Sequence, residues 1–341
     1  MRAMVLHEYG RVLTMEDVSD PSCGSAEIVM KVEGCGICFT DVKIVTGQLS
    51  AFIELPHIPG HEIAGTVVEV GKDVRGITIG QKGVCYFLIG CGDCDRCRNA
   101  NENLCYSLTR IGFEFPGGYA QYVRFPAYSF CRFDEDIPFE RMAILPDAVA
   151  TPYHALTRLA RLAPGETVLI VGIGGLGVHA VQIVRLMGGT VIAADVKGEA
   201  LEMAREYGAA MVINTGERNP LEYVKEQTHG RGVDVVLEGV GSPETIAWTL
   251  PSLRKGGRLI IMGYDPVTPV PINVMDMHNN EWSVQGTKVS NKQELTEVIR
   301  LVEQGKIVPV VSRVVTLEEA NEGLLGVRER RIAGRTAMKV S

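Results

Sequence analysis

The feature that most constrains this 341-residue chain is a glycine-punctuated passage, Val171-Gly172-Ile173-Gly174-Gly175-Leu176-Gly177, which closes an apolar run and opens a helical pattern. Thr167–Val171 has the texture of a buried strand, and residues 176–187 place apolar side chains at helical spacing. A strand that turns at once into a helix needs glycine at defined positions. Gly172 permits the tight turn, Gly174 lets the backbone approach a pyrophosphate, and Gly177 lets helix and strand pack closely. The helix start adds unpaired N–H groups and partial positive charge for that pyrophosphate. Asp195 stands 18 residues after Gly177, at the end of the next apolar run. A carboxylate there accepts hydrogen bonds from adenosine ribose hydroxyls and repels a 2′-phosphate, which favours NAD over NADP even with Lys197 nearby. The blander alternative, a glycine turn of any α/β fold with a solvated Asp195, fits this strand–helix context less well.

Around this passage the chain changes texture. Residues 1–150 carry short β-type runs (28–32, 65–70 and 119–123) separated by Pro59-Gly60, Gly71-Lys72-Asp73 and Pro116-Gly117-Gly118. From about residue 150, strands at 167–171, 191–194, 211–213, 233–237 and 258–262 alternate with helical stretches at 176–187 and 198–207. That alternation is expected of a parallel sheet covered on both faces. A last helix is expected at 293–304, followed by a β-like tail. Residues 153–159 read as helical, and Asp147 could be the N-cap of that helix.

Composition narrows the function classes. With 46% hydrophobic and 22% charged residues the chain can build sizeable cores, so a disordered scaffold is excluded. Its net charge of −7 argues against a nucleic-acid partner, which would call for a basic face. The longest apolar run, 168–184, is broken by glycines and His179 and does not suit a spanning helix, so no membrane partner is expected. The N-terminal residues lack the pattern of a signal peptide, and a cytoplasmic location is expected.

Nine cysteines in such a chain suggest metal rather than disulfides. Cys91, Cys94, Cys97 and Cys105 form a C-x2-C-x2-C-x7-C string able to wrap one tetrahedral Zn²⁺ with no position to spare, a structural site. An iron–sulfur cluster is disfavoured by the spacing. Cys38, His61 with Glu62, and Asp147 are scattered, and taken singly each has an ordinary structural explanation.

Taken in order, however, Gly36-Ile37-Cys38-Phe39-Thr40-Asp41, Pro59-Gly60-His61-Glu62, the four-cysteine string, Leu145-Pro146-Asp147 with Thr151, the glycine turn and Gly334-Arg335 resemble the zinc-dependent medium-chain alcohol dehydrogenases over essentially the whole chain. The resemblance implies a GroES-like β catalytic domain at 1–150 and 289–341, with an inserted Rossmann domain at 151–288 and the active site in the cleft. It implies a catalytic Zn²⁺ on Cys38, His61 and Asp147, with Glu62 as a facultative fourth ligand and Asp41 orienting His61. Two zinc ions per chain follow, one catalytic and one structural, together with NAD.

By the same resemblance Thr40 takes the alcohol proton. Lys43 stands where the family commonly ends the relay with histidine, and water is the alternative terminus. Phe39 replaces a residue that is often basic, which leaves Arg335 as the main side-chain contact to the cofactor phosphates. Thr151 and Leu176 match positions on the nicotinamide ring, and Leu49 and Phe87 match pocket walls. The implied function is reversible NAD-linked oxidation of a small-molecule alcohol to an aldehyde or ketone, by a homo-oligomer, dimer or tetramer. A zinc-free enone or quinone reductase and a catalytically silent relative are the alternatives, separable by zinc content and turnover.

Overall fold

The computed structural model describes all 341 residues, which divide into two compact units. One comprises Met1–Asp147, Ser290–Gly305 and Pro309–Ser341; the other comprises Ala148–Val289 and Lys306–Val308.

The second unit is built on six parallel strands. Their spatial order is Met211–Asn214, Thr190–Asp195, Thr167–Val171, Val233–Glu238, Leu253–Ile261, Ser283–Gly286. The first strand in sequence therefore lies at the centre, and the order reverses beside it, which opens a crevice at the carboxyl ends of the strands. Val233–Glu238 is buried along its whole length, as a central strand with both faces covered must be. Leu169, Ile192, Ile213, Val236 and Leu259 meet in the core of this unit. The helices expected at 176–187 and 198–207 are found as Gly177–Leu186 and Gly198–Glu206.

The first unit is a mixed seven-stranded sheet. Val311–Thr316, Arg335–Lys339, Glu27–Ile37, Ile63–Val70, Lys82–Cys85 and Phe130–Arg132 run in that order, and Tyr122–Pro126 adds to Glu27–Ile37. The register matters most. Cys35 opposes Ile63 and Thr336 opposes Ile37, so Cys38, the His61-Glu62 pair and Arg335 come to one end of the sheet from three distant parts of the sequence. The helix expected at 293–304 is Lys292–Glu303. Asn291 and Glu294 cap each other reciprocally at its start, with bonds of 2.8 and 2.9 Å.

Two expectations shift. The strand expected at 119–123 starts later, at Tyr122, because 119–121 bond instead to the N-terminal segment (Met4 N to Tyr119 O, 2.8 Å; Gln121 N to Arg2 O, 3.1 Å). Asp147 does not cap a helix. It lies within a widened, π-type turn, Leu145–Val149, which precedes the regular turn Ala150–His154 and a second widened one, Ala155–Leu159. No helix is long and apolar enough to cross a membrane.

Candidate active site and zinc centres

Three donor atoms meet at the sheet end. Cys38 Sγ lies 3.4 Å from Asp147 Oδ2, which is 3.7 Å from His61 Nε2, and the three donors all fall within 4.8 Å of one another. All are largely buried. A tetrahedral Zn²⁺ with bonds of about 2.0–2.3 Å spaces a sulfur and an oxygen about 3.5 Å apart, so the donor set fits that ion. Three donors leave one coordination position for an exogenous oxygen. The site is oriented from behind by Asp41, whose Oδ2 accepts from the backbone N–H of Cys38 (2.8 Å) and whose Oδ1 meets His61 Nδ1 (3.2 Å). One carboxylate thus fixes two of the three donors. Burial opposes protonation of His61, but Asp41, Asp147 and Cys38 raise its pKa well above the usual value.

Beside the donors lies a buried ion pair. Arg335 donates from Nε to Glu62 Oε2 (3.0 Å) and from Nη2 to Glu62 Oε1, and Nη2 also reaches Asp147 Oδ2 at 3.1 Å. Burial pushes the Glu62 carboxyl up to about 7 against the pull of Arg335. The neighbouring backbone is tailored to this carboxylate: a Cβ on Gly36 would stand 1.8 Å from Glu62 Oε2. Glu62 thus has both oxygens on a guanidinium and stands outside the three-donor group, while Arg335, assigned from the sequence to cofactor phosphate, sits buried among carboxylates. Lys43 is buried on the helix Phe39–Val45 with its ammonium 5.8 Å from the Phe39 ring, and Thr40 is half-buried on the same helix.

The four-cysteine lobe forms a second cluster. Cys91 Sγ and Cys97 Sγ are 3.9 Å apart, as are Cys94 Sγ and Cys105 Sγ. A tetrahedral Zn–S₄ centre needs about 3.8 Å. Backbone N–H groups of Cys91 and Ser107 point at Cys105 Sγ, and that of Cys94 at Cys91 Sγ. The Cys97 backbone N–H holds the Cys94 thiol down at about 6, which favours the thiolate that a metal requires. Gly92 turns the loop at φ +75°.

In the second unit the glycine turn has the geometry of a dinucleotide cradle. Gly172 sits at φ +84°, a Cβ on Gly177 would be 2.1 Å from Gly172 O, and the space around Gly174 is open. Asp195 accepts from Ile173 N (2.7 Å) and Lys197 N (3.0 Å), which ties the acid to the turn. Thr151 is buried in Ala150–His154, and Leu176 together with Gly175 leads into the helix Gly177–Leu186.

Residues 24–135 match the family model for the alcohol dehydrogenase GroES-like domain, and residues 175–304 match that for the zinc-binding dehydrogenase. Along its whole length the chain is 35% identical to an NAD-dependent alcohol dehydrogenase of Sulfolobus acidocaldarius, also covered in full. The chain belongs to the zinc-dependent alcohol dehydrogenase family. An alcohol dehydrogenase of Geobacillus stearothermophilus is 32% identical, with 100% of this chain and 99% of that one covered. The crystal structure of the alcohol dehydrogenase of Aeropyrum pernix superposes with a TM-score of 0.93 at 35% identity, covering 99% of this chain and 100% of that one. The fold class is therefore that of the family, GroES-like and Rossmann.

Sequence reasoning missed two groups. Glu238, at the carboxyl end of a central strand, takes the N–H groups of Val240 and Gly241 (3.1 and 2.6 Å) and shapes the chain after that strand. Phe113 packs against His61. The glutamate ending a buried run was visible as a signal; the phenylalanine had none.

Proposed function

We infer that the protein is a zinc-dependent, NAD-linked alcohol dehydrogenase that interconverts a small alcohol and its aldehyde or ketone. The observation carrying this reading is the three-donor set Cys38, His61 and Asp147, with one coordination position left over, in a chain that also holds the glycine turn and Asp195. When bound, Zn²⁺ acts as a Lewis acid that acidifies an alcohol, and NAD accepts the hydride.

The chain's own residues do the rest. Cys38, His61 and Asp147 hold the metal, and Asp41 fixes the tautomer of the His61 imidazole. Glu62, gathered by Arg335, is poised next to the donors as an alternative ligand. Thr40 takes the alcohol proton and Lys43 or water carries it on. Gly172, Gly174, Gly175, Leu176 and Gly177 cradle the dinucleotide, Thr151 packs on its nicotinamide, and Asp195 selects the unphosphorylated ribose. Cys91, Cys94, Cys97 and Cys105 hold the structural zinc.

None of the nine cysteines is paired in a disulfide, which suits a reducing compartment, the cytoplasm. Self-association is favoured by Ser283–Gly286, an edge strand of its sheet, and by exposed Val267, Val274 and Met275 in the segment before it. Sedimentation velocity should find a dimer or tetramer.

Zinc content combined with a panel of alcohols tests the function. Two zinc ions per chain and turnover with NAD are expected. A zinc-free chain reducing enones, or a two-zinc chain without turnover on any alcohol, would overturn the assignment.

A further inference from the structure

The two nitrogens of His61 face Asp41 and Asp147, and the rest of the ring is packed by two phenylalanines, of which Phe113 has no role in the proposed chemistry. Phe87 meets the imidazole edge-on with centroids 4.9 Å apart, and Phe113 lies tilted at 5.5 Å; both are buried. Phe113 belongs to a turn, residues 110–115, closed by bonds from Phe115 N to Arg110 O (3.1 Å) and from Gly112 N to Phe115 O (2.8 Å). The turn lies directly on the backbone that carries the histidine. Gly112 sits at φ +83°, and a Cβ there would stand 2.6 Å from Gly60 O and 3.0 Å from His61 N. His57 Nε2 pins the turn from another side through Gly112 O at 3.0 Å.

Arg110 stands at the start of this turn with its guanidinium carbon 4.1 Å from the Phe113 ring centroid and 4.6 Å from that of Phe52. Its Nε and Nη2 donate to the two oxygens of Glu114 at 3.2 and 2.6 Å, and its side chain is only 15% exposed. The cation therefore lies over two rings and is bonded along its edge, and its charge is matched by Glu114. What it contributes is orientation, since a guanidinium stacked on a ring fixes the plane of that ring.

We propose that Arg110 is a positioning residue for His61, acting through Phe113: the Phe52–Arg110–Phe113 stack, locked by Glu114, holds the imidazole with Nε2 toward Asp147. The Asp41 bond to Nδ1, at 3.2 Å, restrains the ring at one atom and leaves its tilt to these aromatic contacts. The proposal rests on the reading of His61 as a zinc ligand.

The test follows zinc release from the intact holoenzyme with the chromogenic chelator 4-(2-pyridylazo)resorcinol, alongside steady-state kinetics. Asp147→Ala identifies the three-donor phase by its disappearance. If both phases persist in that variant, the site reading itself fails and the proposal falls with it. In Arg110→Ala the three-donor phase should accelerate about tenfold, within the range that stacking of a partly desolvated guanidinium commands. Its kcat/KM for alcohol should fall by a similar factor, with the four-thiolate phase and the KM for NAD unchanged. Arg110→Lys should resemble Arg110→Ala, because an ammonium offers neither a plane to two rings nor a fork to Glu114. Release in Arg110→Ala within twofold of the wild type, or equal acceleration of both phases, overturns the proposal. Should Arg110→Ala fail to fold, Phe52→Leu decides. Its ring is half exposed, so the fold tolerates its loss, and unchanged release from the three-donor site in that variant is the overturning result.

Discussion

Asp41 divides one carboxylate between the backbone of Cys38 and the ring of His61, so its charge and both of its oxygens are in use. Asp41→Asn keeps the shape but loses the charge and one acceptor. Zinc affinity at the three-donor site should fall roughly 10–100-fold, the usual effect of losing a partner that orients a ligand. Competition with a chelator of known affinity measures it, and unchanged affinity would remove Asp41 from the site. At the cofactor end, Asp195→Gly removes the acceptors and the negative charge expected to face the ribose. The ratio of kcat/KM for NAD over NADP should drop by about tenfold or more. A wild-type enzyme already preferring NADP would contradict the role given to Asp195. Residues of this kind differ in how plainly the sequence displays them. The four cysteines of the lobe are near neighbours and announce a metal by spacing alone. Cys38, His61 and Asp147 are too far apart for spacing to unite them, and only the resemblance to a family drew them together. The grip of Arg335 on Glu62 spans 273 positions and depends on a strand register that no local pattern encodes.

Among the elements, the three central strands of the second unit are tied at their amino ends by Asp234. Its side chain, 4% exposed, accepts from Thr167 N (2.9 Å), Arg231 (2.6 Å) and Arg254 (2.6 Å), linking Val233–Glu238 to Thr167–Val171 and Leu253–Ile261. Burial alone would raise its pKa, but Arg231 and Arg254, with the Thr167 N–H, hold it down at about 2. A folded value below the unfolded one means that the carboxylate contributes stability above about pH 4, lost as the pH falls toward 2; the contribution is about 2 kcal/mol. Asp234→Asn should therefore destabilise the protein by about that amount at pH 7 and very little at pH 2, as read from urea unfolding at the two values. An equal loss at both would show that the ion pairs are idle. Elements were legible in proportion to what they bury. Gly177–Leu186 is buried from Gly177 through Val184 and Gly198–Glu206 buries Ala200, Leu201 and Ala204 at helical spacing, and both were found close to their true ends. Val274–Asn280 buries none of its residues, and Ser283–Gly286 only part of Val284, so neither left a periodic trace to read.

Across the molecule, the cysteine lobe connects parts of the chain that are remote in sequence. Asn291 Nδ2 donates to Ala100 O (2.8 Å) and Lys292 N to Glu102 Oε1 (2.6 Å), so the lobe is fastened to the start of the helix Lys292–Glu303. Removing one thiolate should loosen this attachment without touching the three-donor site. Cys97→Ser should lower the zinc content to one per chain and reduce the melting temperature, while the residual folded fraction still turns over alcohol. Complete inactivity of chains that retain one zinc and native circular dichroism would show that the two centres are coupled. Fold class was readable at this scale because the change of texture near residue 150 separates a β-rich stretch from an alternating one.

The strand Arg335–Lys339 closes the sheet of the first unit against Glu27–Ile37, and Arg335 neutralises Glu62. Both partners wait about 300 residues for it, on the order of 15–60 seconds at ordinary rates of translation. Throughout that interval the nascent sheet has an open edge and a buried-to-be carboxylate with no counter-charge, whereas the strands between residues 167 and 286 can already pair with one another. The ribosome therefore delivers the molecule out of order: the inserted unit is completed first, and the metal-binding unit is sealed only when Arg335–Lys339 has emerged. Ribosome-bound chains stalled before residue 335 should be cut by protease in the first 147 residues and resist it between 148 and 289.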